Sequence, residues 1–159
     1  MTFLLLLHLL AAVLAPVRVR WWGRQAFLAL ALVPAAAFGW TIAQLTAVTG
    51  GDEVRQTISW VPALDLAISL RLDALSLTFA LLVTGVGALV LVYCARYFEP
   101  GDDGIGRFAG NLVAFAGSML GLVLADDMLL LYVFWELTTV FSFLLIGGGG
   151  TRLAARRRS

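Results

Sequence analysis

The sequence predicts an all-α polytopic membrane protein with five transmembrane helices and a small extracytoplasmic β-hairpin between helices 2 and 3. Of its 159 residues, 61% are hydrophobic and 13% are charged, whereas soluble domains carry about 45–50% apolar and about 25% charged residues. Five apolar runs follow one another, separated by short polar or glycine-containing connections. One longer connection instead alternates apolar and polar residues, which is typical of a half-buried strand.

The five runs form one predicted transmembrane domain, residues 1–147. The predicted spans lie at about residues 2–17, 26–48, 75–93, 108–125 and 128–146, and residues 148–159 form an Arg-rich cytoplasmic tail. The first apolar run ends at Pro16 and is short for the ~30 Å hydrocarbon core. A signal peptide would carry its positive charge before the apolar run. The arginines follow the run here, so we expect a helix anchored at the interface by Trp21 and Trp22.

The connection before the third span predicts the hairpin. Apolar residues occupy every second position from Leu64 to Leu72, and Val54–Trp60 is a suitable partner strand with the turn near Pro62. An isolated hairpin is marginally stable in water. We therefore expect this one to pack on the helix ends.

Capping and small residues define the later helices. Asp73, with Ser76 three residues on, predicts the start of the third span, and Asp127 predicts the start of the fifth. Small residues recur along the fourth span at helical spacing, which favours close approach by another helix and a buried position in the bundle. They are Gly110, Ala114, Gly117 and Gly121.

The arginines predict the orientation. Residues 17–25, 94–107 and 147–159 carry three, two and four arginines, whereas residues 49–73 carry two among four acids and residues 126–127 carry none. Basic residues favour the cytoplasmic side of a membrane. The chain is therefore predicted to be a multi-pass protein of the cell inner (plasma) membrane. Its N-terminus and hairpin lie outside, and its C-terminus lies in the cytoplasm.

Glu136 is the candidate functional residue, because it lies near the middle of the fifth apolar run. A charged side chain at the bilayer centre costs roughly 2.5–3.5 kcal/mol on insertion scales. Tyr132 (i−4) and Thr139 (i+3) share its helical face and are expected to shape its surroundings. Desolvation favours the neutral form of a carboxyl group and a nearby cation favours the ionised form. Glu136 can therefore act as a proton carrier, or it can be a permanently protonated group that bonds a neighbouring helix.

Other chemistry finds little support. The chain has one histidine, His8, and one cysteine, Cys94, so no metal or cofactor site is expected. His8 is interpreted as a hydrogen-bonded residue of the first helix, with a proton-relay role as the alternative. No phosphate-binding loop, nucleophile motif or nucleic-acid surface is present, so neither a soluble enzyme nor a nucleic-acid partner is expected.

Three segments resemble a known family. The strings RLDALSLTFALLV, YCARYF and GSMLGLVLADDMLLLYVFWELTTVFSFLLIG resemble the amino-terminal region of the large (A) subunit of Mrp-type multisubunit Na+/H+ antiporters. The same region is shared with the antiporter-like subunits of respiratory complex I. The resemblance covers about residues 1 to 147. It implies a secondary transporter subunit rather than an enzyme, with H+ and Na+ as transported ions and with other antiporter subunits and the lipid bilayer as partners.

In that family the fifth-helix glutamate, which falls on Glu136, belongs to an ion pair with a lysine of a later helix. This chain has no lysine, and from about Gly149 it departs from the family's continuation. We therefore expect a truncated or fragmentary subunit that contributes Glu136 to proton translocation within a larger complex. One alternative is a fragment of a complex I (NADH-quinone oxidoreductase) antiporter-like subunit. The other is a non-transporting membrane scaffold.

Overall fold

The computed structural model describes residues 1–61, 66–98 and 104–156, without the side chains of residues 60, 61, 66 and 148–156. Its elements are α1 (Thr2–Trp22), a 3-10 turn (Gly23–Gln25), α2 (Ala26–Ala43), α3 (Leu45–Thr49), β1 (Val54–Val61), β2 (Leu66–Leu72), α4 (Ala74–Tyr97), α5 (Ile105–Leu124) and α6 (Met128–Arg156). The expected turn near Pro62 and most of the connection from Glu99 to Gly106 lie outside the described residues.

Four described stretches are long and apolar enough to cross a membrane. They are Thr2–Ala43, Ala74–Tyr97, Ile105–Leu124 and Met128–Gly147. The prediction of a mostly helical, multi-pass membrane protein with a small two-stranded sheet is confirmed. The first stretch contains two helices, α1 and α2, separated by the turn at Gly23, whose φ of 57° suits glycine.

Helix α1 continues past the residue at which its apolar run ends. It passes through Pro16 and closes at Trp22, although proline removes the N–H that would bond the Ala12 carbonyl. Helix α5 packs against this part of α1 through two glycines, which have no side chains. A Cβ on Gly106 would lie 2.9 Å from the Pro16 Cα, and one on Gly110 would lie 2.9 Å from the Ala12 oxygen. One side of the proline therefore lies against α5, while its side chain stays exposed on the other side.

Helix α5 is the centre of the bundle. Half of the residues in its most apolar 18-residue segment are buried, a larger share than in the other three candidate stretches. Its glycines face two neighbours, since Gly110 and Gly117 contact α1 and Gly121 contacts Phe134 of α6. The predicted close packing is confirmed for Gly110, Gly117 and Gly121.

The hairpin closes one end of the bundle. Strands β1 and β2 are antiparallel, with Val54 opposite Leu72 and Ile58 opposite Ile68. Leu70 and Leu72 are fully buried in a cluster with Leu4 of α1, Leu77 of α4 and Leu124 of α5, among others. The apolar face predicted by alternation is thus the face that covers the helix ends.

Hydrogen bonds also tie chain segments to this end. The Thr2 N–H donates to Gln56 Oε1 at 3.0 Å, and the Asp126 N–H donates to the Ser69 carbonyl at 2.9 Å. Asp73 caps α4, because Oδ1 accepts from the Ser76 N–H at 2.8 Å while Ser76 Oγ accepts from the Asp73 N–H at 2.7 Å. The start of α1, the start of α4 and the α5–α6 turn therefore share the hairpin end.

Candidate functional site

Helix α6 packs on the bundle with one narrow face. It begins after Asp127, whose Oδ1 accepts from the Leu130 N–H at 2.7 Å, as the sequence predicts. The half-buried positions on α6 recur every three or four residues, and the Phe134 ring among them lies directly over Gly121 of α5. They are Leu130, Phe134, Thr138, Phe141, Ser142 and Leu145.

Glu136 lies on the opposite side of α6. It is two residues from both Phe134 and Thr138, and therefore about 200° around the helix from each. Glu136, Tyr132 and Thr139 are all exposed, as the shared helical face requires. The structure brings the three predicted site residues onto one face, and that face points away from α5.

No described residue neutralises Glu136. Within residues 1–61, 66–98 and 104–147, it forms no hydrogen bond or ion pair. The Thr139 hydroxyl donates instead to the Trp135 carbonyl at 3.2 Å, and the Thr138 hydroxyl donates to the same carbonyl at 2.7 Å. The hydroxyls beside Glu136 therefore bond their own helix, and the carboxyl group is left without a described partner.

The other outward faces differ in composition from that of α6. Most exposed positions of α1 and α4 between the helix ends are aliphatic or phenylalanine side chains, as expected for contact with lipid. They include Phe3, Leu6, Leu10 and Val13 on α1 and Leu75, Phe79, Leu82 and Val86 on α4. Among the described outward faces, the one on α6 places an acid about 12 Å from the helix start.

The structure adds Asp126, which the sequence placed only in the short connection before the fifth span. Asp126 Oδ1 lies 3.0 Å from Arg71 Nε and Oδ2 lies 3.1 Å from Arg55 Nη1. Arg71 Nη2 also lies 3.4 Å from Asp73 Oδ2, and Arg55 Nη2 lies 2.8 Å from Glu53 Oε2. The usable signal was the arginine on the polar face of β2, which needed a carboxylate from elsewhere in the chain.

His8 of α1 is buried against α5. Its Nδ1 is 2.8 Å from the Leu4 carbonyl one turn earlier, which matches the predicted intrahelical bond. Its Nε2 has no partner among the described residues. The residue lies against Gly117, and α6 presents Glu136 away from it.

A metal centre is not formed by the described part of the chain, where no three His, Cys, Asp or Glu side chains are grouped. The chemistry available is instead that of one membrane carboxyl group on an open helix face. The described residues define a multi-pass helical membrane bundle with a two-stranded hairpin at one end and an acid on an open helix face.

Comparisons with known proteins agree with this class. Residues 58–109 match the family model described as NADH-Ubiquinone oxidoreductase (complex I), chain 5 N-terminus. The chain is 43% identical over 115 residues to the Na(+)/H(+) antiporter A-subunit of Alkalihalophilus pseudofirmus, covering 72% of this chain and 14% of that protein. The A/B-subunit of a probable K(+)/H(+) antiporter of Rhizobium meliloti is 47% identical over 100 residues, covering 63% of this chain and 10% of that protein.

A solved structure shows the same arrangement. The Mrp complex from Dietzia sp. DQ12-45-1b aligns with a TM-score of 0.78 and 38% identity, over 91% of this chain and 15% of the matched chain. The predicted resemblance to the large (A) subunit of Mrp-type antiporters is confirmed. The chain spans about a seventh of the length of these curated Na(+)/H(+) antiporter relatives.

Proposed function

We propose that this chain is part of a subunit of a multisubunit monovalent cation/proton antiporter, in which Glu136 takes up and releases the transported proton. The observation that carries the proposal is the position of Glu136 on the outward face of α6, without a partner among the described residues. A lipid-facing acid is costly, so a further helix must cover this face. A basic side chain on that helix would favour the ionised carboxylate, and its withdrawal would let the proton return.

Tyr132 and Thr139 line the same face and would shape the contact with the covering helix. Both side chains carry a hydroxyl, and both are exposed beside Glu136. The Thr139 hydroxyl bonds within α6, so its part is to add polarity to the surface rather than to hold the carboxylate. The covering helix would come from another part of the antiporter complex. The transported ions would be H+ and a monovalent cation, since the relatives are named for Na+ or for K+.

We further propose that the chain crosses the membrane five times. The 42-residue stretch Thr2–Ala43 would measure about 63 Å as one helix, about twice the thickness of the ~30 Å hydrocarbon core. It breaks at Gly23, and α1 and α2 lie side by side, since Ala11 and Ala15 share a core cluster with Phe27 and Leu30. Two crossings fit this stretch, and one fits each of the other three.

The charge distribution supports an orientation with the hairpin outside the inner (plasma) membrane. Arg18 and Arg20 lie in the last turns of α1, and Arg24 lies in the turn before α2. Arg96 and Arg107 flank the α4–α5 connection. These junctions lie at the end of the bundle away from the hairpin. With the basic residues in the cytoplasm, the N-terminus and the hairpin face outward and residues 148–159 face inward.

The proposal is tested by changing Glu136 to Gln in the chain coexpressed with the other polypeptides of the antiporter complex. Glu136→Gln should abolish cation-driven proton movement in everted membrane vesicles, because the amide cannot exchange a proton. Glu136→Asp should retain part of it. Asp52→Asn, the same chemical change at an exposed acid outside the helices, is the control and should leave transport intact. Full transport by Glu136→Gln at normal abundance would show that the chain is a scaffold.

A second candidate function has one specific observation in its favour. The family model over residues 58–109 is described for a complex I subunit, so the same helices could serve proton pumping coupled to quinone reduction. Copurification separates the two functions. An antiporter subunit should copurify with small membrane subunits and transport without NADH, whereas a complex I subunit should copurify with NADH-oxidising subunits.

A further inference from the structure

We propose that Asp126 is a positioning residue for Glu136, fixing the axial and rotational setting of α6 through its two arginine partners on the hairpin. The proposal rests on the proton-carrier role of Glu136. Asp126 stands two residues before α6 and ten before Glu136, about 15 Å along a helix axis. A change in the setting of the first turn would therefore be transmitted to the carboxyl group.

The contacts of Asp126 reach three elements. Its two oxygens are shared between Arg55 of β1 and Arg71 of β2, at 3.1 and 3.0 Å. Its N–H bonds the Ser69 carbonyl, and Ala125 forms a β-bridge with Leu70. Through Arg71 the contacts continue to Asp73, the cap of α4. The α5–α6 turn is thus held beside β2 by both backbone and side-chain contacts.

Among its described residues, the remainder of α6 forms no comparable polar contact with another element. From Asp127 to Gly147, every hydrogen bond of a described side chain stays within α6. Its contact with α5 is mostly apolar, with Phe134 over Gly121, so the polar restraints on α6 among the described residues are those at its start. We therefore expect the contacts at the start of the helix to set the position of Glu136 together with the packing of Phe134.

The ion-paired side chains are partly exposed, so their effect on the position of α6 can be tested separately from their effect on stability. The Asp126 side chain is 21% exposed, and its partners Arg71 and Arg55 are 38% and 56% exposed. Ion pairs at such sites contribute little to stability. Loss of the Asp126 charge should therefore leave the chain folded while freeing α6 to shift, which makes the proposal testable in a folded protein.

The structural test measures the setting of α6 directly. Spin labels on cysteines at Thr57 of β1 and Val140 of α6, both exposed, report their separation in the full chain with Cys94 changed to Ala. Asp126→Asn should broaden the distance distribution and shift it by about 1.5 Å for each residue of axial slippage. Asp126→Glu, which keeps the charge, should restore the parent distribution, and Asp52→Asn should not alter it. An unchanged distribution in Asp126→Asn overturns the proposal.

The functional test uses the same variants in the coexpressed complex. Transport per unit of chain in the membrane should fall in Asp126→Asn and recover in Asp126→Glu. A shifted distance distribution with full transport in Asp126→Asn would overturn the link to Glu136. The distance measurement does not depend on transport, so a failure of the proton-carrier role would appear in the Glu136→Gln assay and leave the spin-label result as it stands.

Discussion

Gly117 of α5 lies directly against His8 of α1, so close that a Cβ on Gly117 would be 2.7 Å from the His8 Cβ. His8 is itself 1% exposed. The two residues lie about 10 Å from the hairpin ends of their helices, six residues into α1 and seven residues before the end of α5. This contact sets how closely the outer helix approaches the central one, and it yields two predictions.

Substitution of Gly117 by Ala should destabilise the chain. The new methyl group meets the root of a side chain that cannot swing away, and overpacking of this kind costs about 1–3 kcal/mol. Gly39→Ala is the matched control, because nothing lies within 4 Å of its added Cβ and Ala is favoured over Gly in a helix interior by about 0.5–1 kcal/mol. Thermal unfolding in detergent should lower the midpoint for Gly117→Ala and leave it equal or raised for Gly39→Ala. Equal midpoints for both variants would contradict the close contact.

Replacement of His8 by Leu should preserve both folding and transport. The exchange removes the bond to the Leu4 carbonyl, but it also removes Nε2, a buried acceptor without a described partner. The two effects oppose one another, so the free energy of unfolding should change by no more than about 1 kcal/mol. Transport is measured in vesicles of the coexpressed complex. Loss of transport in a stable His8→Leu chain would support the proton-relay interpretation of His8 instead.

Removal of the Asp73 carboxylate should weaken the start of α4. The N–H bond from Ser76 holds the pKa of Asp73 below its ordinary value, and loss of an N-cap costs about 1 kcal/mol. Because the folded-state pKa is depressed, this contribution is complete above the unfolded-state value of about 4 and is lost as the pH falls through the lower folded-state value. Asp73→Ala should therefore destabilise the chain at pH 7 and progressively less below pH 4, as measured by unfolding midpoints. Asp52→Asn should show no comparable effect at pH 7.

Cysteines at the two ends of the bundle should react with opposite sidedness. With Cys94 changed to Ala, a cysteine at Thr57 on the hairpin should react with a membrane-impermeant maleimide in intact cells. A cysteine at Gln25, in the exposed turn between α1 and α2, should react only after permeabilisation. The reverse result would invert the proposed orientation, and labelling of both sites in intact cells would argue against two crossings in Thr2–Ala43.

Local sequence signals predicted much of the fold because they report short-range physics. The alternation from Leu66 to Leu72 requires one buried face wherever the hairpin packs, and the Asp73–Ser76 pair forms a capping box using neighbouring atoms alone. Pro16 shows the limit of such rules. Proline usually ends a helix in isolation, but α1 continues through Pro16, where Gly106 and Gly110 let the backbone of α5 pack closely against this turn.

The candidate site likewise has features that follow from the sequence and features that only the tertiary structure determines. The sequence by itself determined that an acid lies deep within an apolar helix and that Tyr132 and Thr139 share its face, since both facts follow from spacing along one helix. Tertiary structure decided that this face turns away from α5, because Phe134 and its neighbours fill the opposite side. It also decided that Asp126 joins Arg55 and Arg71, which are 71 and 55 residues earlier in the chain. Ion pairs over such separations depend on how the hairpin packs on the helix ends. Helical or strand periodicity in the sequence does not predict that packing.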